Sequence, residues 1–311
     1  MAVYTSIKIS VLHDWLKNFN LGKLEDLKGI SAGVTNTNYL ISTSQSKYIL
    51  TLFEHSNINE LPFYVNLMSF LVKNKFPCPQ PIQNNKGESL SLLKGKPALI
   101  VSFIEGKENL KIDETHCFLV GEHLAKLHNL TKDFSEDKKN TRDFSWIKIK
   151  YLELKRYLSS QDRRLIELEI DFLSHNMSEV LPSGIIHGDL FRDNVLFFQN
   201  KVSGIIDFYY ACNEWFIFDI AIVINDWCVS SDGEIDKLKL NEFMKGYQSK
   251  RLLHDLEFDF MTKSLRWAAL RFWLSRLDDT YNIKDGEITS IKDPNYFRNI
   301  LIDRQSIKDI F

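Results

Sequence analysis

A change of hydrophobic period near residue 106 constrains this 311-residue chain more than any other feature. Before it, short β-rich runs dominate. Residues 39–42 and 47–53 (KYILTLF) are rich in aromatic and branched side chains, and the polar stretch 43–46 joins them as a turn. Residues 59–74 carry Leu61, Val65, Met68, Phe70, Leu71 and Val72 at helical spacing. The prolines of FPCPQPI (Pro77, Pro79, Pro81) end that helix and force an extended path. Strands follow at 89–93 and 98–104, with 94–97 (KGKP) as the turn between them. After Glu105-Gly106-Lys107, helical periods take over at 113–129, 146–159, 163–176 and 257–279, with Asp113 as an N-cap and 132–143 as a polar loop. The expected fold class is α+β and bilobal. Residues 1–105 would form a β-rich N-lobe and 106–311 a mainly helical C-lobe.

One stretch of the helical half breaks its period. Residues 184–207 read GIIHGDLFRDNVLFFQNKVSGIID. Two apolar runs, 195–198 and 202–206, flank Gln199-Asn200-Lys201, which is a hairpin signature. A polar loop, HGDLFRDN, precedes the hairpin, and Asp207 ends it. Asp189 and Asn194 stand five positions apart, the D-x-x-x-x-N spacing of a kinase catalytic loop, and His187 lies two before Asp189. Phosphoryl transfer to an alcohol needs a carboxylate to orient the hydroxyl and take its proton. It also needs oxygen ligands for the metal that bridges the phosphates. The hairpin returns Asp207 toward Asn194, and carboxylate with amide oxygen suits Mg²⁺. A lone D-x-x-x-x-N also arises from ordinary loop-capping residues. The signal here is joint: the loop, the hairpin and the closing aspartate, all behind a β-rich lobe.

The net charge of −2 leaves no basic field for nucleic acid or an anionic membrane, so a small molecule is the expected partner. Cys78, Cys117, Cys212 and Cys228 form no C-x-x-C pair and read as buried free thiols of a reducing compartment. The N-terminal stretch lacks the apolar run of a signal peptide, and the apolar runs 98–104 and 216–224 are far short of a membrane span. A soluble, cytoplasmic chain is expected, with no membrane partner.

HGDLFRDN and IIDFYYA resemble the phosphotransfer and metal-binding motifs of the aminoglycoside phosphotransferase and choline kinase superfamily, relatives of the protein kinases. GISAGVTNTNYLI (29–41), YILTLFE (48–54), FPCPQPI (76–82) and ALIVSFIEG (98–106) extend the likeness. HGDLFRDNVLFF, GIIDFYYACN and ALRFWLSRL are most similar to the homoserine kinases of that superfamily, over residues 3–298. The resemblance implies transfer of the γ-phosphoryl group of ATP to L-homoserine. Asp189 would be the catalytic base, with Asn194 and Asp207 as ligands of Mg²⁺. Residues 31–38, with Ser31, Gly33, Asn36 and Asn38, would cover the ATP phosphates. Backbone groups of Ser102, Phe103 and Ile104 would meet the adenine edge. With a single glycine, 31–38 also reads as an ordinary β-turn. Kinases of aminoglycosides, choline or methylthioribose remain as alternatives, as does a nucleotide-binding module without turnover.

One position departs from the kinase pattern. The place of the strand lysine that holds the α- and β-phosphates falls on Thr51, and Glu60 is the candidate for the helix glutamate that would accompany such a lysine. Asp219 in FIFDIA reads as the cap of the helix that follows it. Trp215, Trp227, Trp267 and Trp273 read as core. Arg266, Arg271 and Arg276 do not form one helical stripe and read mostly as surface ion pairs, with Arg271 the candidate to hold a substrate carboxylate.

Overall fold

The alternating runs of the first hundred residues pair into one antiparallel sheet in the computed structural model, which describes residues 5–30, 36–54, 57–109, 111–176, 180–282, 292–308 and 310. The described residues divide into two compact units, one ending at Glu105 and the other starting at Gly106.

The first unit opens with α1 (Ile9–Leu16), followed by β1 (Leu24–Gly29), β2 (Thr37–Thr43), β3 (Lys47–Leu52), α2 (Leu61–Lys73), β4 (Leu90–Leu93) and β5 (Lys96–Ser102). The strand order is β1-β2-β3-β5-β4. Period-two alternation sends Tyr39, Ile41, Tyr48, Leu50, Ala98 and Ile100 to one face, where Leu12 and Leu16 of α1 and Phe19 complete a core. Full burial of a leucine or isoleucine there contributes about 1.5–3 kcal/mol. On the other face Asn38 stands beside Thr51, and Thr51 beside Leu99.

Several boundaries differ from expectation. Helix α1 and strand β1 had no clear signal. The turn before β5 is only Lys94-Gly95, both at positive φ (54° and 77°), the geometry of a tight two-residue hairpin turn. The strand expected at 98–104 therefore starts at Lys96 and stops at Ser102, leaving Phe103 and Ile104 beyond it.

The second unit is mainly helical: α3 (Glu114–Leu130), α4 (Phe144–Leu154), α5 (Ser160–Asn176), β6 (Ser183–Ile186), β7 (Val195–Phe198), β8 (Lys201–Ile205), β9 (Cys212–Trp215), α6 (Phe216–Trp227), α7 (Lys237–Gln248), α8 (Asp255–Tyr281) and α9 (Asn295–Ser306). Asp113 caps α3 by accepting the His116 amide at 3.0 Å, as expected. Helices α3 and α7 touch backbone to backbone. A Cβ at Gly121 would lie 2.2 Å from the Phe243 carbonyl oxygen, and one at Gly246 would lie 2.0 Å from that of Phe118. Helix α6 is buried along its whole length and apolar except for Asp219, Asn225 and Asp226. Trp227, Trp267 and Trp273 are core, while Trp215 is half-buried against Phe260 and Trp267. The surface reading of the arginines fails for two of three. Arg266 grips the fully buried Glu169 with two bonds of 2.7 and 2.8 Å, and Arg271 is only 3% exposed.

Candidate active site

The loop HGDLFRDN lies along α6, and two aspartates of that helix hold it. Asp219 and Asp226 are seven residues apart, so they share one helix face. Asp219 accepts the backbone amides of His187 at 2.8 Å and Gly188 at 3.0 Å, and His128 at 3.1 Å. Asp226 accepts the Arg192 amide at 2.8 Å and both arms of its guanidinium, at 3.2 and 3.1 Å. Between them, the Trp227 indole donates to the Leu190 carbonyl at 3.1 Å. Asp219 thus does not cap its own helix. It sits in the first turn of α6 with its carboxylate aimed at the loop. Burial works to raise its pKa, but the hydrogen bonds from His128 and the His187 amide hold it below the usual carboxylate range. A carboxylate buried in an otherwise apolar helical turn needs such donors. That composition was the signal available in the sequence.

His187 is fully buried and neutral, because burial pushes its pKa down. Its Nε2 donates to the Ile206 carbonyl at 2.9 Å, and its Nδ1 accepts the Asp189 amide at 3.3 Å. The imidazole therefore ties the loop to the far end of the hairpin. Gly188 takes φ +75° with the Tyr210 carbonyl pressed against it, and Asp189 emerges next.

Asn194 is locked by the loop itself. Its Nδ2 donates to the Asp189 carbonyl at 2.8 Å and lies 3.4 Å from the Asp189 carboxylate. With the amide nitrogen so engaged, Oδ1 is the atom left to act as a ligand. Strands β7 and β8 turn at Gln199-Asn200, both at positive φ, and the Ile206 amide donates to the Asn194 carbonyl at 3.0 Å. The next residue, Asp207, is thereby returned beside Asn194. It adopts the left-handed conformation (φ 65°), which aspartate tolerates better than most residues.

The two carboxylates differ in their surroundings. Burial pushes Asp189 up to about 7 against the pull of Arg271, whose Nη1 lies 3.6 Å from its Oδ1; Asp207 adds to the rise and Arg142 opposes it. Asp207 is more open to solvent, yet surrounding protein and Asp193 move it up to about 6. Among the described residues no group of three or more His, Cys, Asp or Glu side chains forms a metal cage. The pair Asn194 and Asp207 fits a hard divalent ion that takes its remaining oxygens from phosphates and water.

In the first unit, Thr51 is 3% exposed and donates to Asn38 Oδ1 at 2.8 Å. Asn36 Oδ1 accepts the Glu54 amide at 3.4 Å. Lys96 is already paired with Glu54, which Thr37 and Thr5 also contact at 2.6 and 3.2 Å. Lys47 Nζ lies 5.8 Å over the Phe103 ring. The Ser102 and Phe103 amides are committed to the Gln80 and Lys47 carbonyls, at 2.9 and 3.3 Å. Ser31 and Gly33 lie outside the described residues.

A loop and hairpin that gather a carboxylate, an amide oxygen and a second carboxylate, in a chain that also forms a five-stranded antiparallel sheet, have the parts of a kinase-like phosphotransferase. The model of the phosphotransferase enzyme family matches residues 26–253. Among curated proteins, the homoserine kinase of Methylobacillus flagellatus is 41% identical, over 97% of this chain and 94% of its own. That of Neisseria meningitidis serogroup B is 39% identical, over 97% and 99%. The chain belongs to the phosphotransferase enzyme family, in its homoserine kinase group. Two solved structures share the fold at low identity. An amicoumacin kinase in complex with AMP-PNP and Ca²⁺ aligns at TM-score 0.74 and 15% identity, over 96% of this chain and 92% of that one. A spectinomycin phosphotransferase with ADP aligns at 0.71 and 14%, over 97% and 99%.

Proposed function

We propose that this enzyme uses ATP to phosphorylate the side-chain hydroxyl of L-homoserine, giving O-phospho-L-homoserine on the route to threonine. The observation that carries the chemistry is the Asn194 amide bound to Asp189, with the hairpin returning Asp207 beside it. The substrate rests on the near-full-length likeness to homoserine kinases.

Asp189 orients the acceptor hydroxyl and takes its proton as the hydroxyl oxygen attacks the γ-phosphorus and the bond to ADP breaks. A carboxylate raised to about 7 is well matched to that task near neutral pH. Asn194 Oδ1 and the Asp207 carboxylate hold Mg²⁺. When bound, the ion supplies charge neutralisation to the phosphate oxygens. The chain's own contribution is mostly positioning, delivered by Asp219 and Asp226 through the loop. Asn36 and Asn38, with Ser31 and Gly33, cover the phosphates. Since the Ser102 and Phe103 amides are committed, the Ile104 amide and the neighbouring carbonyls meet the adenine.

The intact Asp189, Asn194 and Asp207 argue against a module without turnover. No helix among the described residues is long and apolar enough to cross a membrane. The four cysteines are buried and free, which supports a reducing cytoplasm. The net charge of −2 supports a small molecule rather than nucleic acid as the partner. The test is ADP release in parallel reactions with L-homoserine, L-serine, choline, methylthioribose and kanamycin. L-Homoserine should give the highest kcat/KM. Faster turnover of choline or kanamycin would reassign the acceptor.

A further inference from the structure

We propose that Arg142 and Arg271 together bind the α-carboxylate of the acceptor and so set its specificity. This rests on the amino-acid acceptor proposed above and names the groups that recognise it.

Arg271 projects from α8, and its guanidinium carbon lies 3.7 Å over the Phe272 ring and 5.6 Å from the Tyr210 ring centre. It is 3% exposed, and its buried Nη1 makes no hydrogen bond among the described residues. The nearest carboxylate, Asp189, is 3.6 Å away, beyond hydrogen-bond reach. Arg266, by contrast, is held by two bonds to the Glu169 carboxylate. The buried Arg304, whose Nη2 is also unbonded among the described residues, is bonded to Asn225 and the Gly233 carbonyl, while Arg271 has no carboxylate within hydrogen-bond reach.

Arg142 comes from the polar loop before α4 and lies 4.5 Å over the Tyr210 ring, which Arg271 also approaches. Its Nη2 donates to the Tyr210 hydroxyl at 3.2 Å and its Nη1 to Ser275 Oγ at 3.3 Å. Ser275 is four residues after Arg271, on the same face of α8, so these contacts bring Arg142 alongside Arg271. The two cations repel: burial and then Arg142 push Arg271 down to about 10, so it stays protonated at neutral pH. Among the described residues Arg142 has no carboxylate partner. Two adjacent guanidiniums among aromatic rings are completed by one bidentate anion.

Their position selects which anion. Arg271 Nη1 lies 3.6 Å from Asp189 Oδ1, and Arg142 is held beside it through Tyr210 and Ser275, so the pair stands next to the carboxylate that would take the acceptor's hydroxyl proton. In extended homoserine the hydroxyl oxygen and the carboxylate carbon are roughly 5 Å apart, from bond lengths near 1.5 Å. A hydroxyl seated on Asp189 therefore reaches this pair with its carboxylate.

The test compares L-homoserine, 3-aminopropan-1-ol (no carboxylate) and 4-hydroxybutanoate (no ammonium) in the wild type, Arg142→Met and Arg142→Lys. Arg142→Met is the deciding variant, because it leaves the cation beside Asp189 in place. The wild type should favour L-homoserine over 3-aminopropan-1-ol by about 100-fold or more in kcat/KM. In Arg142→Met that preference should fall to about tenfold or less through slower homoserine and hydroxybutanoate turnover. The rate with 3-aminopropan-1-ol and the KM for ATP should stay within about threefold, and Arg142→Lys should recover part of the loss. Equal slowing of all three acceptors would overturn the clamp in favour of a role on the transferred phosphoryl group or in folding. An unchanged preference in Arg142→Met would overturn it as well, while leaving the homoserine reading intact. Failure of the wild type to use L-homoserine at all would instead remove the reading beneath it.

Discussion

Replacing Asp219 by asparagine keeps its size and removes its charge, and the geometry sets the size of the effect. Oδ2 accepts from the His187 amide at 2.8 Å and from His128 at 3.1 Å, and Oδ1 accepts from Gly188 at 3.0 Å, all fully buried. An amide in the same place keeps its oxygen on His187 and His128 and turns its NH₂ toward the Gly188 N–H. One buried donor is left unpaired, which costs about 1–3 kcal/mol, and the surviving bonds fall from charge-assisted to neutral strength, about 1 kcal/mol each. The expected loss is about 3–5 kcal/mol. At about 2–4 °C per kcal/mol, the melting temperature of the helical unit should drop by at least about 6 °C in calorimetry. The loop that carries Asp189 loses its anchor, so kcat should fall about tenfold or more, with a smaller change in KM for ATP. A variant melting within about 2 °C of the wild type at unchanged kcat would refute the reasoning that α6 positions the loop.

Asp189 works ionised, so kcat/KM should rise with pH up to about 7 and level off above it; a flat profile from pH 5 to 8 would exclude it as the base. Because burial raises its folded pKa above the unfolded value, its ionisation removes stability as pH climbs from about 4 to about 7. Asp189→Asn should therefore melt higher than the wild type at pH 8 without ligands, and an equal or lower melting temperature would contradict the shift. Asp207→Ala should raise the Mg²⁺ concentration needed for half-maximal rate more than Asn194→Ala does, since it removes a full charge, and metal titrations that overlay the wild type would count against the pairing. Thr51→Ala frees the Asn38 amide but removes no charge, so kcat/KM for ATP should fall by about tenfold or less; loss of all activity in a folded variant would give the hydroxyl a direct role.

The two-unit architecture and the loop-hairpin-aspartate arrangement were legible because both are written in local periodicity and turn chemistry. Gln199-Asn200 flanked by apolar runs specifies the hairpin, and the hairpin, tied to the loop by His187, returns Asp207 toward Asn194. Strand β1 was not legible. LEDLKG has few β-branched or aromatic residues and many charges, a composition suited to the edge position it occupies, and pairing with β2 makes it a strand. Asp219 looked like a helix cap because its partners, His128, His187 and Gly188, are distant in sequence. Arg142 was invisible for a related reason. In a polar loop it has no pattern of its own, and only folding against Tyr210 and Ser275 sets it beside Arg271.

The central claim is tested most directly by product analysis. Purified protein is incubated with Mg²⁺, ATP and L-homoserine, and the phosphorus species are followed by NMR beside a folded Asp189→Asn variant. The account predicts a new phosphate monoester resonance matching O-phospho-L-homoserine, growing in step with ADP, and slowed by about 10²–10⁴ in the variant. ADP and inorganic phosphate without the ester, or ester formation at the same rate in both proteins, would contradict it.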